Sequence, residues 1–207
     1  VSHFGGPQQN VPSLLINQHR IDDDDDAEAY IARIAATDRL IDQSIALMRD
    51  AAAKGITLPH FSYALMIDDA RKVALGAPFT STGENEIFAD FRKKVEKLNT
   101  GAATKAKLIA DAQSALTQKL GPAYAAFVAA AQSIAATVKG DHGVGTLPDG
   151  KAFYDERTAY HTTVKMPAGD IHKLGLSEVA RLSADMRKLK AKLGFKGSLK
   201  AFYTDLR

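Results

Sequence analysis

Apolar residues recur at intervals of three, four or seven positions along most of the chain, which is the period of an amphipathic α-helix. The clearest run consists of Ile31, Ile34, Ile41, Ile45 and Met48. It predicts one helix of about 28 residues that ends at Lys54 and Gly55. No segment alternates apolar and polar residues with the two-residue period of a strand. The pattern predicts an all-α protein, an irregular array of about seven to eight helices with no substantial sheet.

Glycine and proline residues mark where the other helices are expected to start, stop or bend. Pro59 is expected to open the second helix, which closes before Gly76-Ala77-Pro78. Gly121-Pro122 is expected to break or kink a later helix, and Pro167 to start the long helix that ends at Gly194. These breaks separate the chain into helices of ordinary length.

Five consecutive acids, Asp22 to Asp26, precede the first long helix. A calcium loop would alternate its ligands, include a turn glycine and end in a distant Glu, and this run does none of these. We therefore interpret the run as the acidic start of a helix, with Asp25 as the N-cap and Glu28 completing a capping box.

The same pattern suggests three regions. Residues 1–21 contain Gly5, Gly6, Pro7 and Pro12 around a short apolar patch, which predicts an extended segment that docks on the body of the protein. Residues 22–139 are expected to form a helical bundle, and residues 140–207 a loop plus helices that continue the same domain. Because Leu199, Phe202 and Leu206 lie on one face of the last predicted helix, we expect further chain to follow and bury that face.

Composition narrows the function only slightly. The 27 basic and 24 acidic residues give a net charge of +3 and are interspersed, which argues against a nucleic-acid surface. The lysines of the third helix, Lys93, Lys94 and Lys97, are interpreted as a solvated face. There is no cysteine, which excludes disulfides, thiolate zinc sites and cysteine nucleophiles. No apolar run reaches the roughly 18 residues of a membrane span.

Familiar catalytic motifs are missing from the sequence. It contains neither the His-Glu-x-x-His of zinc hydrolases nor the Glu-x-x-His of di-iron bundles. His161 and His172 are separated by Pro167 and cannot share an ion through local structure alone. A serine triad is left open, since its members can be far apart, but no Gly-x-Ser-x-Gly elbow supports one. We assign no catalytic, cofactor-binding or metal-binding residue in this chain.

The stretch from Gly143 to Leu176 differs from the Ala-, Leu- and Lys-rich helices around it. It contains Tyr160, His161 and Thr162, which combine hydrogen-bonding groups beside a break in the helical pattern. These three residues are our candidates for the lining of a substrate cleft. The alternative for His161 is a packed or hydrogen-bonded histidine next to Tyr160.

The order of several segments carries a family resemblance. The most specific are LPDG-x-x-x-Y at Leu147 to Tyr154, Tyr-His-Thr-Thr at Tyr160 to Thr163, and Ile-His-x-Leu-Gly-Leu at Ile171 to Leu176. With VPSLLINQHRIDDDDDAEAYIARI before them and GFKGSLKAFYTDLR after them, the chain resembles the amino-terminal half of the bacterial domain-of-unknown-function family 885. One departure is Met166, where the family usually has the Thr or Ser of an N-cap.

The resemblance implies a function for a longer protein. Members of the family resemble zinc metallopeptidases with a His-Glu-x-x-His motif, and the zinc-binding half follows the region that this chain matches. The resemblance implies that the chain is inactive alone, and that zinc, a peptide substrate and a carboxy-terminal catalytic half belong to the full-length protein. Many members are predicted lipoproteins or exported proteins, which implies the cell envelope or secretion. The alternative function is a stand-alone helical module that binds a peptide or protein without catalysis.

Overall fold

The structure is a computed structural model that describes residues 2–206. Its α-helices are α1 (Pro7–Ser13), α2 (Asp24–Ala35), α3 (Thr37–Ala53), α4 (His60–Val73), α5 (Glu86–Glu96), α6 (Ala102–Ala115), α7 (Gly121–Ala135), α8 (Gly150–Thr162), α9 (Ala168–Lys192) and α10 (Leu199–Asp205). Eight of them have eleven or more residues, and no strand occurs in the described range. The all-α class and the predicted number of helices are confirmed.

The acidic run begins α2, but the N-cap is Asp23 and not Asp25. The Asp23 carboxylate accepts a hydrogen bond from the backbone N–H of Asp26 at 2.9 Å. The Asp26 carboxylate accepts one in return from the backbone N–H of Asp22 at 3.0 Å. Because every residue in the run is a good cap, the sequence pattern could not fix the helix start.

The predicted 28-residue helix is wrong in one respect, because it divides at Ala36 into α2 and α3. At the junction, the buried hydroxyl of Thr37 donates a hydrogen bond to the carbonyl oxygen of Arg33 at 3.2 Å. Such side-chain bonds to the preceding turn bend helices. Tyr30 and Ile34 before the bend and Ile41 after it are all fully buried. The apolar stripe is therefore kept while the helix axis changes.

The amino-terminal segment is helical where the sequence predicted an extended segment. Residues Pro7–Ser13 form α1, and Leu14–Gln18 continue it as a π-helical turn. Val11 and Leu15 are buried in the core, and the Tyr124 hydroxyl donates a hydrogen bond to the carbonyl oxygen of Pro7 at 2.7 Å. Pro7 stands at the start of the helix, where its missing N–H costs nothing. The two prolines made the segment look extended, but burial of one helical face decides its conformation.

The core lies around α7, which packs on α3 and α4. Tyr124 and Phe127 of α7 and Phe91 of α5 are among the largest fully buried side chains. Gly121-Pro122 does not break the chain's helical course, because α6 passes into α7 through a π-helical turn, Leu116–Leu120. At Gly121 an added Cβ would lie 3.0 Å from Cε1 of Phe79, so the missing side chain makes room for that ring.

One buried amide joins α4 to α5. Nδ2 of Asn85 donates hydrogen bonds to the carbonyl oxygens of Val73 and Leu75, each at 2.9 Å, where α4 ends. Its Oδ1 accepts from the backbone N–H groups of Ile87 and Phe88 at 3.1 and 3.3 Å, where α5 begins. The same side chain thus satisfies the unpaired backbone groups of two helix ends.

Gly76 permits this junction. Its φ is +83°, and an added Cβ would lie 2.8 Å from the backbone nitrogen of Asn85. Both the left-handed backbone and the close approach require glycine.

The chain divides into two compact units, Val1–Pro148 and Asp149–Arg207. The sequence pattern predicts instead that residues 140–207 continue the same domain. The first unit contains the core described above. In the second unit α10 packs on α9, and of its described residues only Gly150 and Phe202 are buried.

Candidate functional site

Tyr160, His161 and Thr162 form the last turn of α8 in the second unit. The Thr162 hydroxyl lies 2.8 Å from the carbonyl oxygen of Thr158, to which it donates a hydrogen bond. Thr163 then adopts the left-handed conformation with φ of 60° and ends the helix. The predicted break in helical structure is therefore present directly after the three candidates.

The rings of Tyr160 and His161 meet edge to face, with their centroids 5.2 Å apart. The guanidinium carbon of Arg157 lies 4.5 Å from the centroid of the Tyr160 ring, a cation–π contact. Arg157 also forms a hydrogen-bonded ion pair with Glu156. This hydrogen bond lowers the pKa of Glu156. Tyr160 is 65% exposed. The turn thus presents a phenol, an imidazole and a guanidinium together at the surface.

His161 is exposed, so it is not a core histidine. The ring of His161 does contact Tyr160, the neighbour named in the alternative interpretation of His161 as a packed or hydrogen-bonded histidine. His172 is exposed on α9. In residues 2–206, no group of three or more His, Asp or Glu side chains is placed to hold a metal ion.

A second feature is a groove of about 490 Å³ among α1, the end of α4 and the start of α5. Gln8, Gln9, Asp69, Lys72, Glu84 and Glu86 supply its polar lining. The amide oxygen of Gln8 is buried and finds no hydrogen-bond partner among the described residues. Lys72 is held by Asp68 at 2.7 Å and Glu84 by Arg92 at 2.9 Å, so most of the charge is already paired. The groove could not be predicted from the sequence, because α1 and the distant junction between α4 and α5 form it and neither carries a motif.

The acidic run lines a shallower depression of about 360 Å³ with Leu98, Asn99 and Thr100. The Thr100 hydroxyl donates a hydrogen bond to Asp24 Oδ2 at 3.0 Å, which ties the depression to the α2 helix start. The acids therefore act as first-turn and capping groups, as interpreted from the sequence.

A polar cluster around Lys94 has a structural role. Lys94 Nζ donates hydrogen bonds to the carbonyl oxygens of Leu15, Ile16 and His19 at 3.1, 3.0 and 2.9 Å. It also lies 2.7 Å from Oδ2 of Asp90. The expectation of a solvated face is therefore wrong for Lys94, which instead satisfies the end of the π-helical turn after α1.

Three further side chains complete this cluster. The Tyr30 hydroxyl donates a hydrogen bond to Asp90 Oδ2 at 3.2 Å, and burial raises its pKa. An Arg33 guanidinium nitrogen lies 2.8 Å from His19 Nδ1. Burial, and then the charge of Arg33, lower the pKa of His19. Each of these side chains has a polar partner inside the protein, which is typical of a structural cluster.

No helix in the described part of the chain is both long and apolar enough to cross a membrane.

Comparison with known proteins agrees with this architecture. A solved structure described as "the putative lipoprotein from Colwellia psychrerythraea" superposes with a TM-score of 0.89 at 23% sequence identity. The match covers 100% of this chain and 35% of that protein, so the chain spans about a third of its length. At this identity the likeness concerns the fold alone. No curated protein shows a significant match.

The sequence profile of a family described as bacterial protein of unknown function, DUF885, matches residues 1–207, and the chain therefore belongs to that family.

Proposed function

We propose that this chain is the helical amino-terminal domain of a zinc-dependent peptidase and forms one wall of its substrate cleft. The observation that carries the proposal is the exposed turn at the end of α8, where Tyr160, His161 and Arg157 meet. Membership of the family supports it, because the family resembles zinc metallopeptidases. So does the length of the solved relative, which leaves room for a catalytic part outside this chain.

The turn is suited to binding and not to bond cleavage. The Tyr160 hydroxyl can donate to or accept from a peptide backbone, and the Arg157 guanidinium can hold a carboxylate. The described residues do not fit a zinc site, since no three ligands converge. On this proposal the zinc and its ligands belong to residues outside the chain.

On this proposal the protein works at the bacterial cell envelope or outside the cell. The description of the solved relative as a lipoprotein supports an envelope location. Partners are then the peptide substrate and the carboxy-terminal catalytic part of the same protein.

A second function is favoured by a different observation. The apolar side chains of α9 are exposed along much of the helix, as in a module that binds a peptide or a partner helix. Such a module would work without zinc. Tight binding of a partner by residues 1–207 alone, with no hydrolysis in a longer protein, would favour it.

The test replaces His161 by alanine in the full-length protein and measures turnover of a synthetic peptide library by mass spectrometry. We expect bound zinc near one equivalent by elemental analysis, and peptide turnover reduced roughly tenfold, the effect of losing one hydrogen bond to the substrate. The thermal unfolding temperature should not change, because His161 is exposed.

His172→Ala is the matched control, since His172 is also an exposed helical histidine of the second unit. It should leave turnover unchanged. Lowered stability of His161→Ala with normal turnover would assign His161 a structural role. Absence of both zinc and hydrolysis in the full-length protein would refute the peptidase.

A further inference from the structure

One face of α9 carries an apolar stripe, which Glu178 interrupts between Leu174 and Leu182. Its members recur at three, four or five residues and fall within less than half of the helix circumference: Ile171, Leu174, Val179, Leu182, Met186, Leu189 and, just after the helix, Leu193. Val179 is 64% exposed and Leu182 is 52% exposed. At 1.5 Å per residue the stripe extends over roughly 33 Å.

The second unit does not cover this stripe. Its last helix, α10, packs on α9, and Phe202 meets Phe195 with ring centroids 5.4 Å apart. Those rings come from the end of the unit, and among its described residues Phe202 is the only large side chain that is buried. Burial of a single Leu or Val side chain stabilises a protein by about 1.5–3 kcal/mol. Covering the several exposed side chains of the stripe would therefore be strongly stabilising.

Paired charges lie at the edge of the stripe and, at Glu178, within it. Arg181 forms ion pairs with Glu178 at 2.7 Å and with Asp185 at 3.1 Å. Lys188 pairs with Asp185 at 3.4 Å. A polar rim of mixed sign around an apolar centre is the composition of a protein–protein interface.

The length of the solved relative indicates what covers the stripe. This chain superposes on that protein with a TM-score of 0.89 yet matches only 35% of it. About two thirds of the relative therefore lies outside the matched fold. A segment of the same polypeptide binds at high effective concentration, which favours it over a second copy or a separate partner.

We propose that the apolar stripe of α9 is the seam on which the rest of the full-length protein packs, through an apolar helix of the polypeptide outside residues 1–207. This rests on the part of the proposed function that makes the chain one domain of a larger protein. It requires neither zinc nor peptidase activity.

The experiment compares hydrogen–deuterium exchange of α9 in two wild-type proteins, the 207-residue chain and the full-length protein. We expect peptides spanning Ile171 to Leu193 to exchange at least tenfold more slowly in the full-length protein, because packing then opposes local opening. Equal exchange in the two proteins would overturn the proposal. This comparison needs no substitution and is unaffected by a variant that fails to fold.

A pair of variants locates the contact. Leu182→Gln places a neutral polar group in the stripe, whereas Ala180→Gln places the same group on the opposite, exposed face of α9. Gln is a good helix former, so neither change disturbs α9 itself. In the full-length protein, Leu182→Gln should speed exchange of α9 roughly tenfold or more, since a buried contact is lost, and Ala180→Gln should not.

Two outcomes would identify a different occupant. Dimerisation of the 207-residue chain that Leu182→Gln abolishes would assign the stripe to a second copy. Binding to anionic phospholipid vesicles that Leu182→Gln abolishes would assign it to a membrane. Protection of α9 in a full-length protein without zinc or hydrolysis would confirm the seam and refute the peptidase, which keeps the two proposals separable.

Discussion

At the scale of single residues, Lys94 is the side chain whose role differs most from its sequence pattern. It stands beside Lys93 on α5 in a run that resembles an ordinary solvated face. Three backbone carbonyl groups and Asp90 surround its ammonium group in the structure. The carbonyl groups belong to residues that precede Lys94 by 75 to 79 positions in the chain. No local pattern could reveal that partner.

Replacing Lys94 by Met should therefore lower the free energy of unfolding by about 2–4 kcal/mol, because a largely buried carboxylate and three carbonyl groups lose their cation. Urea denaturation followed by circular dichroism measures the change. Lys93→Met is the matched control and should change stability by less than about 0.5 kcal/mol, as surface substitutions do. Equal effects of the two variants would contradict the assigned role of Lys94.

The candidate site also belongs to this scale. The helix break after Thr162 followed from the sequence, whereas the assignment of Tyr160, His161 and Thr162 to a substrate cleft stays a prediction. The approach of Arg157 to the Tyr160 ring at 4.5 Å was not predicted. The two residues are three apart on a helix, where side chains are neighbours, so helical spacing was the available signal.

At the scale of elements, helix ends are where neighbouring helices are fixed to one another. Asn85 is the clearest case, since one side chain caps the start of α5 and the end of α4. Gly76 allows the chain to turn closely enough for this. The orientation of α5 on α4 therefore depends on a single buried amide.

We expect Asn85→Ala to lower the free energy of unfolding by about 2–4 kcal/mol, because the N-cap of α5 is lost and the carbonyl groups of Val73, which is buried, and Leu75 lose their side-chain donor. Thermal and chemical denaturation measure the change. Asn99→Ala, at an exposed position between α5 and α6, is the control and should be nearly neutral. If Asn85→Ala left the free energy of unfolding unchanged, the junction between α4 and α5 would not depend on this side chain.

At the scale of the whole molecule, the two units differ in how much apolar surface they bury. The first unit encloses a core with Tyr30, Phe91, Tyr124 and Phe127 fully buried. Among the described residues of the second unit, the only large buried side chain is Phe202. Helices of this length gain most of their stability from packing of an apolar face, so the second unit is the weaker of the two.

In the 207-residue chain, hydrogen–deuterium exchange should thus be faster in α8 and α9 than in α4 and α7, by roughly 100-fold or more, because opening without a core costs little. Mass spectrometry of peptic fragments provides the measurement, with urea-unfolded chain as the reference for complete exchange. Similar protection in both sets of helices would contradict this difference between the units.

Several features followed from sequence alone. Apolar spacing predicted the all-α class, and proline and glycine placed the start of α4 near Pro59 and the end of α9 near Gly194, since these signals act within one turn of the backbone. The family resemblance was also readable, because short motifs such as Ile-His-x-Leu-Gly-Leu survive in order along the chain.

Tertiary structure alone decided the rest. The helical state of residues 7–18 depends on burying Val11 and Leu15 and on the bond from Tyr124, more than a hundred positions away. The bend at Ala36, the buried position of Lys94 and the groove beside Gln8 depend equally on contacts between distant segments. Local sequence sets the period and the ends of helices, whereas the free energy of burial, summed over distant residues, determines which faces meet.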